Sequence, residues 1–559
     1  MKTEKNKGSI PMKEVEKALK KQKLIFAFWN CSSKKDTPYQ NYYLPLKRLF
    51  GKTILFDPRK MRYLYGSDKM NSLLLSLVEK EKPHYIFLIV RREEMTIETM
   101  DKIKKISPST KIIAFSGDDD KDFEPLKRYQ ALFVDCTLVA QVSYMDNYYK
   151  DGIKNIYRTV GVNSDTFKPV KTEKIYDVTF IGKTSDTRRD FARFLIKNKI
   201  NLRIFGNGWT DYSEFKDFCA GPLKTEDMVK CISQSKINLA LSRNKDGKPH
   251  IKGRVFEFGL CKSFSLVDYF EGYLRLFKNG KEIVMFKDKR DLIKKINYYL
   301  KHEKEGEKIA KRAYKKAVQN HNVYEEFKRL FKKIMENPVI FVQKFPKVSG
   351  KIFNLKSRDI FKSTEEIKKL LKGFDYVSFS DGNDIPSYYK NYIQAYALEK
   401  TEKKICCCDY YVNDKILGDY LLTSVYKAFY KLDGDKFSQI LSINQIATTK
   451  KYFIRNLNKF RSFFGGKEID IIDKKNTCLI SLPLVKIKKL KGMDYEVFSS
   501  SALEKRFLLN AYLLSKKNKS SLLTYFIRMI VLSIVSPLLR KSIIYSIQDK
   551  KNWSHIHNI

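Results

Sequence analysis

Residues 177–191 read DVTFIGKTSDTRRDF, and this stretch decides the fold of the region around it. The apolar run at 177–181 is typical of a buried strand, and Gly182 and Lys183 follow it directly. A helix pattern then begins at Asp186, with arginines at 188 and 189. This order suits phosphate binding, because glycine lets the backbone approach a ligand and the helix N-terminus offers N–H groups. A glycine that serves packing alone is the alternative.

Alternating strand and helix patterns extend in both directions from this stretch. Upstream, the apolar runs at 24–29, 53–56, 85–90, 111–115 and 131–134 predict strands, and 95–106 predicts a helix. The second set of predicted strands is 177–181, 202–205, 237–241, 263–267 and 282–286, with helices at 186–199, 225–235 and 254–261. Strands that are apolar on both faces indicate parallel sheets covered on both sides. We expect an α/β protein with two Rossmann-like domains, residues 1–165 and 166–335, facing a cleft at their strand ends.

A third region follows a Pro- and Lys-containing linker at residues 338–351. Apolar runs at 374–379 and 404–411 predict strands, and the segment 522–539 predicts an apolar helix. We therefore expect an α/β domain over residues 336–510 and a basic, apolar helical tail over 511–559. Lysines and arginines flank the apolar segment, which predicts contact with an anionic membrane surface. Packing of the tail against the third domain is the alternative.

Composition narrows the classes of function. Hydrophobic residues make up 43% of the chain, which excludes wholesale disorder. The formal charge of +46 indicates an acidic partner, such as nucleic acid, anionic lipid or a phosphorylated small molecule, although a general enrichment in lysine is an equal alternative. Nucleic acid is disfavoured, because the sequence lacks the common binding signatures and its basic residues are spread out. The nine cysteines form no C-x-x-C pair, and the first residues lack a signal-type apolar core, which together predict a cytoplasmic protein.

Three further motifs carry candidate chemistry. Gly206 follows the predicted strand at 202–205, where a glycine leaves the end of the strand open to a ligand. An ordinary tight turn is the alternative. Arg254 lies at a predicted helix N-terminus and Glu257 one turn further in, where a carboxylate can accept two ribose hydroxyls. A surface glutamate favoured by the helix dipole is the alternative. Asp118 and Asp119 follow a strand end that faces the cleft, and either could act as a base, or the acidic turn could simply cap a helix.

Five blocks in order resemble the CgeB-like branch of the group 1 glycosyltransferases, which have the GT-B fold of two Rossmann-like domains. These blocks are residues 177–191, 202–209, 252–286, 291–302 and 321–330, and 112–119 and 157–169 extend the resemblance to about residues 20–335. The resemblance implies transfer of a sugar from a UDP-, GDP- or dTDP-linked donor to a glycan or lipid-linked acceptor, in cell-surface polysaccharide or glycoconjugate biosynthesis.

The same resemblance assigns roles to residues. Glu257 would hold the donor ribose, Arg254 and Lys183 would face the diphosphate, and no cofactor or metal would be required. Many group 1 enzymes carry another glutamate eight positions before the ribose glutamate, where this sequence has Pro249 next to His250. This departure leaves the sugar contacts and the stereochemistry open.

Residues 374–414 resemble the middle of a family 2 glycosyltransferase, which has the GT-A fold. In that family an Asp-x-Asp pair binds a divalent metal, and here Asp381 matches the first position while Asn383 stands at the second, with Asp384 after it. Magnesium or manganese would bind only if this region is active. The expected first hundred residues of such a domain are missing, which predicts an incomplete GT-A-like domain used for assembly or acceptor recognition. A non-catalytic membrane-surface scaffold and a nucleic-acid-binding protein are the alternative functions for the chain.

Overall fold

The computed structural model describes residues 9–28, 38–89, 94–159, 161–243, 247–380, 385–414, 419–423, 446–464 and 476–487. The predicted metal-binding residues Asp381, Asn383 and Asp384 lie outside these ranges, as does the predicted tail over 511–559. Among the helices described, none has the length and apolar character needed to cross a membrane.

The first sheet has six parallel strands in the order β2-β1-β3-β4-β5-β6. Its members are β1 Lys23–Phe28, β2 Lys52–Phe56, β3 Tyr85–Ile89, β4 Lys111–Ser116, β5 Cys136–Val139 and β6 Ile156–Arg158. The helices of this domain are α1 Met12–Leu19, α2 Leu44–Leu49, α3 Pro58–Tyr65, α4 Ser67–Glu81, α5 Ile97–Ile106, α6 Asp119–Asp122, α7 Arg128–Gln130 and α8 Met145–Lys150. The central strands are buried on both faces, as their continuous apolar runs predict.

One predicted strand of the first domain is wrong. Residues 131–134 lie in a 3₁₀ turn, Ala131–Phe133, and the strand β5 begins only at Cys136. Every residue from 131 to 139 is buried, so the segment has no alternation of buried and exposed positions that would distinguish a strand from a helix. Phe133 is buried because the third region covers it. The centroid of its ring lies 5.2 Å from that of Phe345 and 4.9 Å from that of Tyr389.

The second sheet has five parallel strands in the order β11-β10-β9-β7-β8. They are β7 Tyr176–Ile181, β8 Leu202–Phe205, β9 Ser235–Ala240, β10 Ser265–Asp268 and β11 Val284–Phe286, close to the predicted runs. The helices are α9 Asp186–Lys197, α10 Thr225–Gln234, α11 Gly253–Leu260, α12 Glu271–Leu274, α13 Lys289–Lys301 and α14 Glu303–Asn320. Two parallel α/β domains confirm the predicted fold class for this part of the chain.

The helix α15, Val323–Glu336, returns to the first domain. Its residues Phe327 and Phe331 lie in the apolar cluster of the first sheet, where their rings contact Phe87 at 5.6 Å and Tyr85 at 4.8 Å. The predicted boundary at residue 335 placed this segment with the second domain by chain order, whereas its apolar face packs on the first. The chain therefore crosses between the two domains twice.

The third region is a mixed sheet in the order β12-β13-β17-β15-β18-β14, with β16 paired to β15. The strands are β12 Ile352–Lys356, β13 Tyr376–Ser380, β14 Ile385–Pro386, β15 Ile405–Asp414, β16 Asp419–Thr423, β17 Ile446–Thr449 and β18 Thr477–Ile487. The helices are α16 Thr364–Leu370, α17 Lys390–Thr401, Lys450–Arg455 and Leu457–Phe464. Single-turn 3₁₀ and π segments elsewhere are Tyr39–Tyr43, Phe123–Lys127, Val142–Tyr144, Ser213–Phe215 and Ser357–Phe361. Both predicted strands, 374–379 and 404–411, are present as β13 and β15.

Candidate functional site

The carboxyl ends of the first two sheets meet at a cleft. On the first domain, β4 leads into residues 118–120 and β5 leads into Gln141. On the second domain, the segment after β9 carries His250 and Ile251 to the start of α11. The side chain of Gln141 accepts a hydrogen bond of 2.8 Å from the Ile251 amide and donates one of 3.3 Å to the Ile251 carbonyl. The loops of the two domains are thus in direct contact, as the predicted facing arrangement requires.

Several cations lie at this edge of the second sheet. Arg188, in the first turn of α9, donates 2.8 Å to the Lys183 carbonyl, and its guanidinium lies 5.5 Å from the Phe180 ring. Its Nε is buried without a hydrogen-bond partner, and burial lowers its pKa. Burial also lowers the pKa of Lys252 to about 8, and the positive charge of Arg188 contributes. Half-buried cations at helix starts suit an anion, because an anion would restore the favourable interactions that burial removed.

The N-terminal turn of α11 brings Arg254 and Glu257 together. The Arg254 guanidinium forms an ion pair with the Glu257 carboxylate, three residues away on the same helix. Glu257 is only 6% exposed, so the alternative of a surface glutamate is wrong. Burial raises the pKa of Glu257, and the nearby Arg254 acts against that shift. The carboxylate therefore sits in a partly dry site beside the cations, as a ligand-binding group would.

The predicted glycines let two loops of the second domain approach each other closely. A Cβ on Gly206 would lie 2.0 Å from the Gly182 carbonyl oxygen, and the backbone φ of Gly206 is +153°. The indole of Trp209 donates a hydrogen bond of 2.8 Å to the same oxygen. Any larger residue at 206 would push the two loops apart. The side chain of Lys183, next to this contact, is exposed.

The three aspartates of the turn after β4, residues 118–120, lie in different environments. Asp119 is buried within the first domain and accepts hydrogen bonds from Ser116 at 2.6 Å and Tyr148 at 2.8 Å. Burial raises the pKa of Asp119 to about 6. Asp118 has a side chain that is 53% exposed and pairs with Lys121 at 3.0 Å. Of the two predicted candidates, Asp118 is therefore the one open to a ligand.

The third aspartate, Asp120, reaches the second domain. Its carboxylate lies 2.9 Å from Nδ1 of His250, and Asp118 lies 3.9 Å from Nε2 of the same ring. Within the described ranges, these three side chains are the set whose spacing would accommodate a metal ion. The Nδ1 atom, however, is already engaged by the Asp120 carboxylate.

Sequence reasoning missed part of this arrangement. It linked Arg188 to phosphate binding only as part of a motif, gave His250 no role, and did not single out Lys252 or Gln141. Lys252 could have been assigned from its position at a helix start. Gln141 has no comparable signal, because its role depends on the approach of two loops that are 110 residues apart.

Comparisons with known proteins give one family match and several similar solved structures. The sequence model of the glycosyl transferase-like family matches residues 187–332, and no curated protein matches the chain. Solved structures with a similar fold include HepE of Anabaena in complex with UDP-glucose, at 10% identity and TM-score 0.40, covering 56% of this chain and 100% of that one. A glycosyltransferase of Rickettsia africae has 13% identity and TM-score 0.42, covering 57% and 99%. Sucrose-phosphate synthase of Thermosynechococcus elongatus has 9% identity and TM-score 0.41, covering 56% and 100%. The family match covers α11 and nearly all of α9, and with them Arg188, Lys252 and Arg254, so this segment of the chain is glycosyl transferase-like.

Proposed function

We propose that this protein transfers a sugar from a nucleotide-sugar donor to a glycan or lipid-linked acceptor that is assembled into a cell-surface polysaccharide or glycoconjugate. One observation carries the proposal. Three cations, Arg188, Lys252 and Arg254, converge beside the buried Glu257 at the strand ends of the domain that matches the family. A nucleoside diphosphate presents the complementary chemistry, with two phosphates for the cations and two ribose hydroxyls for the carboxylate.

The cations also explain how the leaving group is stabilised. When the bond between the sugar and the diphosphate breaks, negative charge grows on the terminal phosphate oxygen. Arg188 and Lys252 are partly desolvated, so their charges act on that oxygen with less screening than in water, and Arg254 lies beside them with a side chain that is 25% exposed. The exposed Lys183 extends the positive edge towards the outer phosphate. Because protein cations do this work, we propose that donor binding by the first two domains requires no metal.

The acceptor side lies on the first domain. We propose that the exposed carboxylate of Asp118 receives a hydrogen bond from the acceptor hydroxyl across the cleft. Asp119 has a different role, because its hydrogen bonds to Ser116 and Tyr148 hold the turn that presents Asp118 and Asp120. The donor-binding edge is thus cationic and the acceptor-binding edge anionic.

The narrower assignments are part of the same proposal. We place residues 20–335 in the CgeB-like branch, with a UDP-, GDP- or dTDP-linked donor, and we propose peripheral attachment to the cytoplasmic face of an anionic membrane. The third region is proposed as an incomplete GT-A-like domain that serves assembly. Its contacts support this role, since Tyr396 donates 3.1 Å to the Asp151 carbonyl and the third-region core joins that of the first domain.

The test uses the full chain and a panel of UDP-, GDP- and dTDP-linked sugars. Release of nucleoside diphosphate is measured with water as the acceptor and with lipid-linked glycans added, in buffer containing EDTA. We expect release from at least one donor under these conditions. No release from any donor, or release that depends strictly on an added divalent metal, would contradict the proposal and move attention to the third region.

A further inference from the structure

The helix α14 presents one face to the protein and the other to solvent. Its buried face consists of small and apolar residues, and a Cβ placed on Gly259 of α11 would lie 3.1 Å from the Cβ of Ala317. Its exposed face carries cations three and four residues apart, a spacing that aligns them along the helix. These cations, called the basic stripe below, are Lys308, Lys311, Arg312 and Lys315. Positive charge therefore runs along the outside of the second domain.

No carboxylate of the same segment balances the basic stripe. From residue 308 to residue 320 the chain contains neither Asp nor Glu, and among the described residues none of the four cations forms an ion pair. By contrast, Lys295 on α13 pairs with Asp291 at 2.5 Å, and Lys328 on α15 pairs with Glu16 at 2.7 Å. General enrichment in lysine does not account for the stripe, because the segment also lacks the carboxylates that balance lysines on these other helices.

The helix itself gains nothing from this arrangement. Like charges three or four residues apart repel one another and weaken a helix. Cations are favourable near a helix C-terminus, but the last turn of α14 contains none, so the helix dipole does not explain the stripe. Arg312 donates a hydrogen bond of 3.4 Å to the Lys281 carbonyl, which leaves its charge without a counterion. An anionic partner lying against the stripe would offset the repulsion that the folded protein leaves in place.

A groove of about 510 Å³ lies along the stripe and narrows the kind of anion that fits. The cations share its lining with Tyr314 and Val318, and Val318 is 37% exposed although it is aliphatic. Lysine and arginine stems are apolar up to their charged heads, so the groove offers apolar surface bordered by positive charge. The headgroup region of an anionic bilayer has the complementary chemistry, with phosphates next to acyl carbons. A nucleic-acid duplex would engage the cations through its phosphates but leave the apolar lining unused.

We propose that the basic stripe of α14, together with Val318, binds the anionic surface of a lipid bilayer. This inference rests on the peripheral attachment proposed above and gives that attachment a place in the fold. The helix α14 packs on α11, which carries Arg254 and Glu257, so a bilayer on the outer face of α14 is one helix away from the proposed donor site. A lipid-linked acceptor in the same bilayer would then lie near the cleft.

The test measures vesicle binding by the full-length protein. One set of vesicles contains equal parts of phosphatidylglycerol and phosphatidylcholine, the other contains phosphatidylcholine alone, and co-sedimentation gives the partition coefficient. We expect wild type to bind the anionic vesicles at low salt and to be released at high salt. The stripe variant, in which all four cations are replaced by Gln, should bind about tenfold more weakly or worse. A variant with the three lysines of the stripe replaced by Arg keeps the charge and should bind as wild type does.

The matched control removes the same charge from another surface of the second domain. It replaces with Gln the four exposed lysines Lys197, Lys216, Lys224 and Lys230, and it should bind vesicles as wild type does. The Tm of the stripe variant should not fall, because the substitutions remove repulsion rather than a contact. Val318→Asp adds a carboxylate within the groove and should also weaken binding.

Several results would overturn the inference. Equal binding by wild type and the stripe variant would place the attachment elsewhere in the chain, and equal losses in the stripe and control variants would show an effect of net charge alone. A wild type that binds RNA but neither kind of vesicle would make the stripe a nucleic-acid site. If wild type does not bind the anionic vesicles, the proposed peripheral attachment is refuted as well, whereas glycosyl transfer depends only on the outcome of the donor panel.

Discussion

The two Rossmann-like domains have the same architecture but carry opposite chemistry at their facing edges. Both are parallel sheets covered by helices, and both end their central strands at the cleft. The loops of the first domain bring carboxylates, Asp118, Asp119 and Asp120, whereas those of the second bring Arg188 and Lys252 and the Arg254–Glu257 pair. One edge therefore carries mainly cations and the other mainly carboxylates, which is the contrast behind the proposed donor and acceptor sides.

Under the proposed function, this difference would let one fold supply both halves of a two-substrate site. Parallel strands place all their carboxyl ends along one edge, so the loops there can be specialised without changing the sheet. Burial then strengthens each specialisation, because charges removed from water interact more strongly with a ligand. Substitutions at the two edges should therefore have different effects, the largest of them at the cationic edge.

Removing Arg188 should weaken the cationic edge most. Arg188→Gln eliminates a partly desolvated charge whose Nε has no hydrogen-bond partner within the protein, so that N–H is open to the proposed phosphate ligand. We expect kcat/KM for the donor to fall by about 100-fold or more, from the cost of removing one such donor. The control is Arg193→Gln on the same helix, because Arg193 is exposed and pairs with Glu214 at 2.7 Å. Steady-state kinetics check the prediction, and equal effects of the two substitutions would contradict it.

Glu257 should matter for donor binding rather than for turnover. Glu257→Ala removes a buried carboxylate that we propose accepts two ribose hydroxyls, a loss of roughly 1.5–3 kcal/mol for charged hydrogen bonds. The expected loss of nucleoside diphosphate affinity, measured by calorimetry, is about ten- to a hundredfold. Glu226→Ala is the matched control, since Glu226 is an exposed carboxylate in the first turn of α10. A folded Glu257→Ala protein that binds as tightly as wild type would show that the ribose site lies elsewhere.

The charge of Lys252 should make donor binding depend on pH. Burial lowers the pKa of Lys252 to about 8, so the ammonium loses its proton as the pH rises through 8. Donor affinity should then fall by up to about tenfold for each pH unit above 8. Lys252→Arg keeps its charge over this range and should flatten the profile. Binding titrations between pH 7 and 9.5 measure both proteins, and parallel profiles would assign the pH dependence to another group.

Asp119 should affect stability rather than donor binding. Its folded-state pKa of about 6 lies above the ordinary value of 3.8, so the folded protein binds the extra proton between these two values. The free energy of unfolding should therefore fall as the pH rises from about 4 through 6, by about 3 kcal/mol for two pH units. Asp119→Asn should lose this dependence, whereas the exposed Asp211→Asn should keep it. Urea unfolding across pH 4.5–7.5 tests the sign, and an Asp119→Asn protein with the wild-type slope would refute it.

Much of the fold could be predicted from the sequence because each buried parallel strand is indicated by a short apolar run of its own. The run at 85–90 is apolar at every position, and 178–181 is apolar except at Thr179, a pattern typical of strands buried on both faces. The same reasoning wrongly predicted a strand at 131–134. This apolar run is buried on all sides because the third region covers it, so its pattern does not distinguish a strand from a helical turn. The third region covers Phe133 in space although Tyr389 is 256 positions away, and no local pattern records such a contact.

The candidate site divides in the same way. The sequence by itself determined where Gly182, Lys183, Arg254 and Glu257 stand relative to strand ends and helix starts, since these are local features of one segment each. Only the tertiary structure decided that Asp119 lies within the first domain while Asp120 meets His250 across the cleft. Three adjacent aspartates are chemically equivalent in sequence. Their burial and partners depend on which way each side chain leaves the turn and on the approach of the second domain, 130 residues further along the chain.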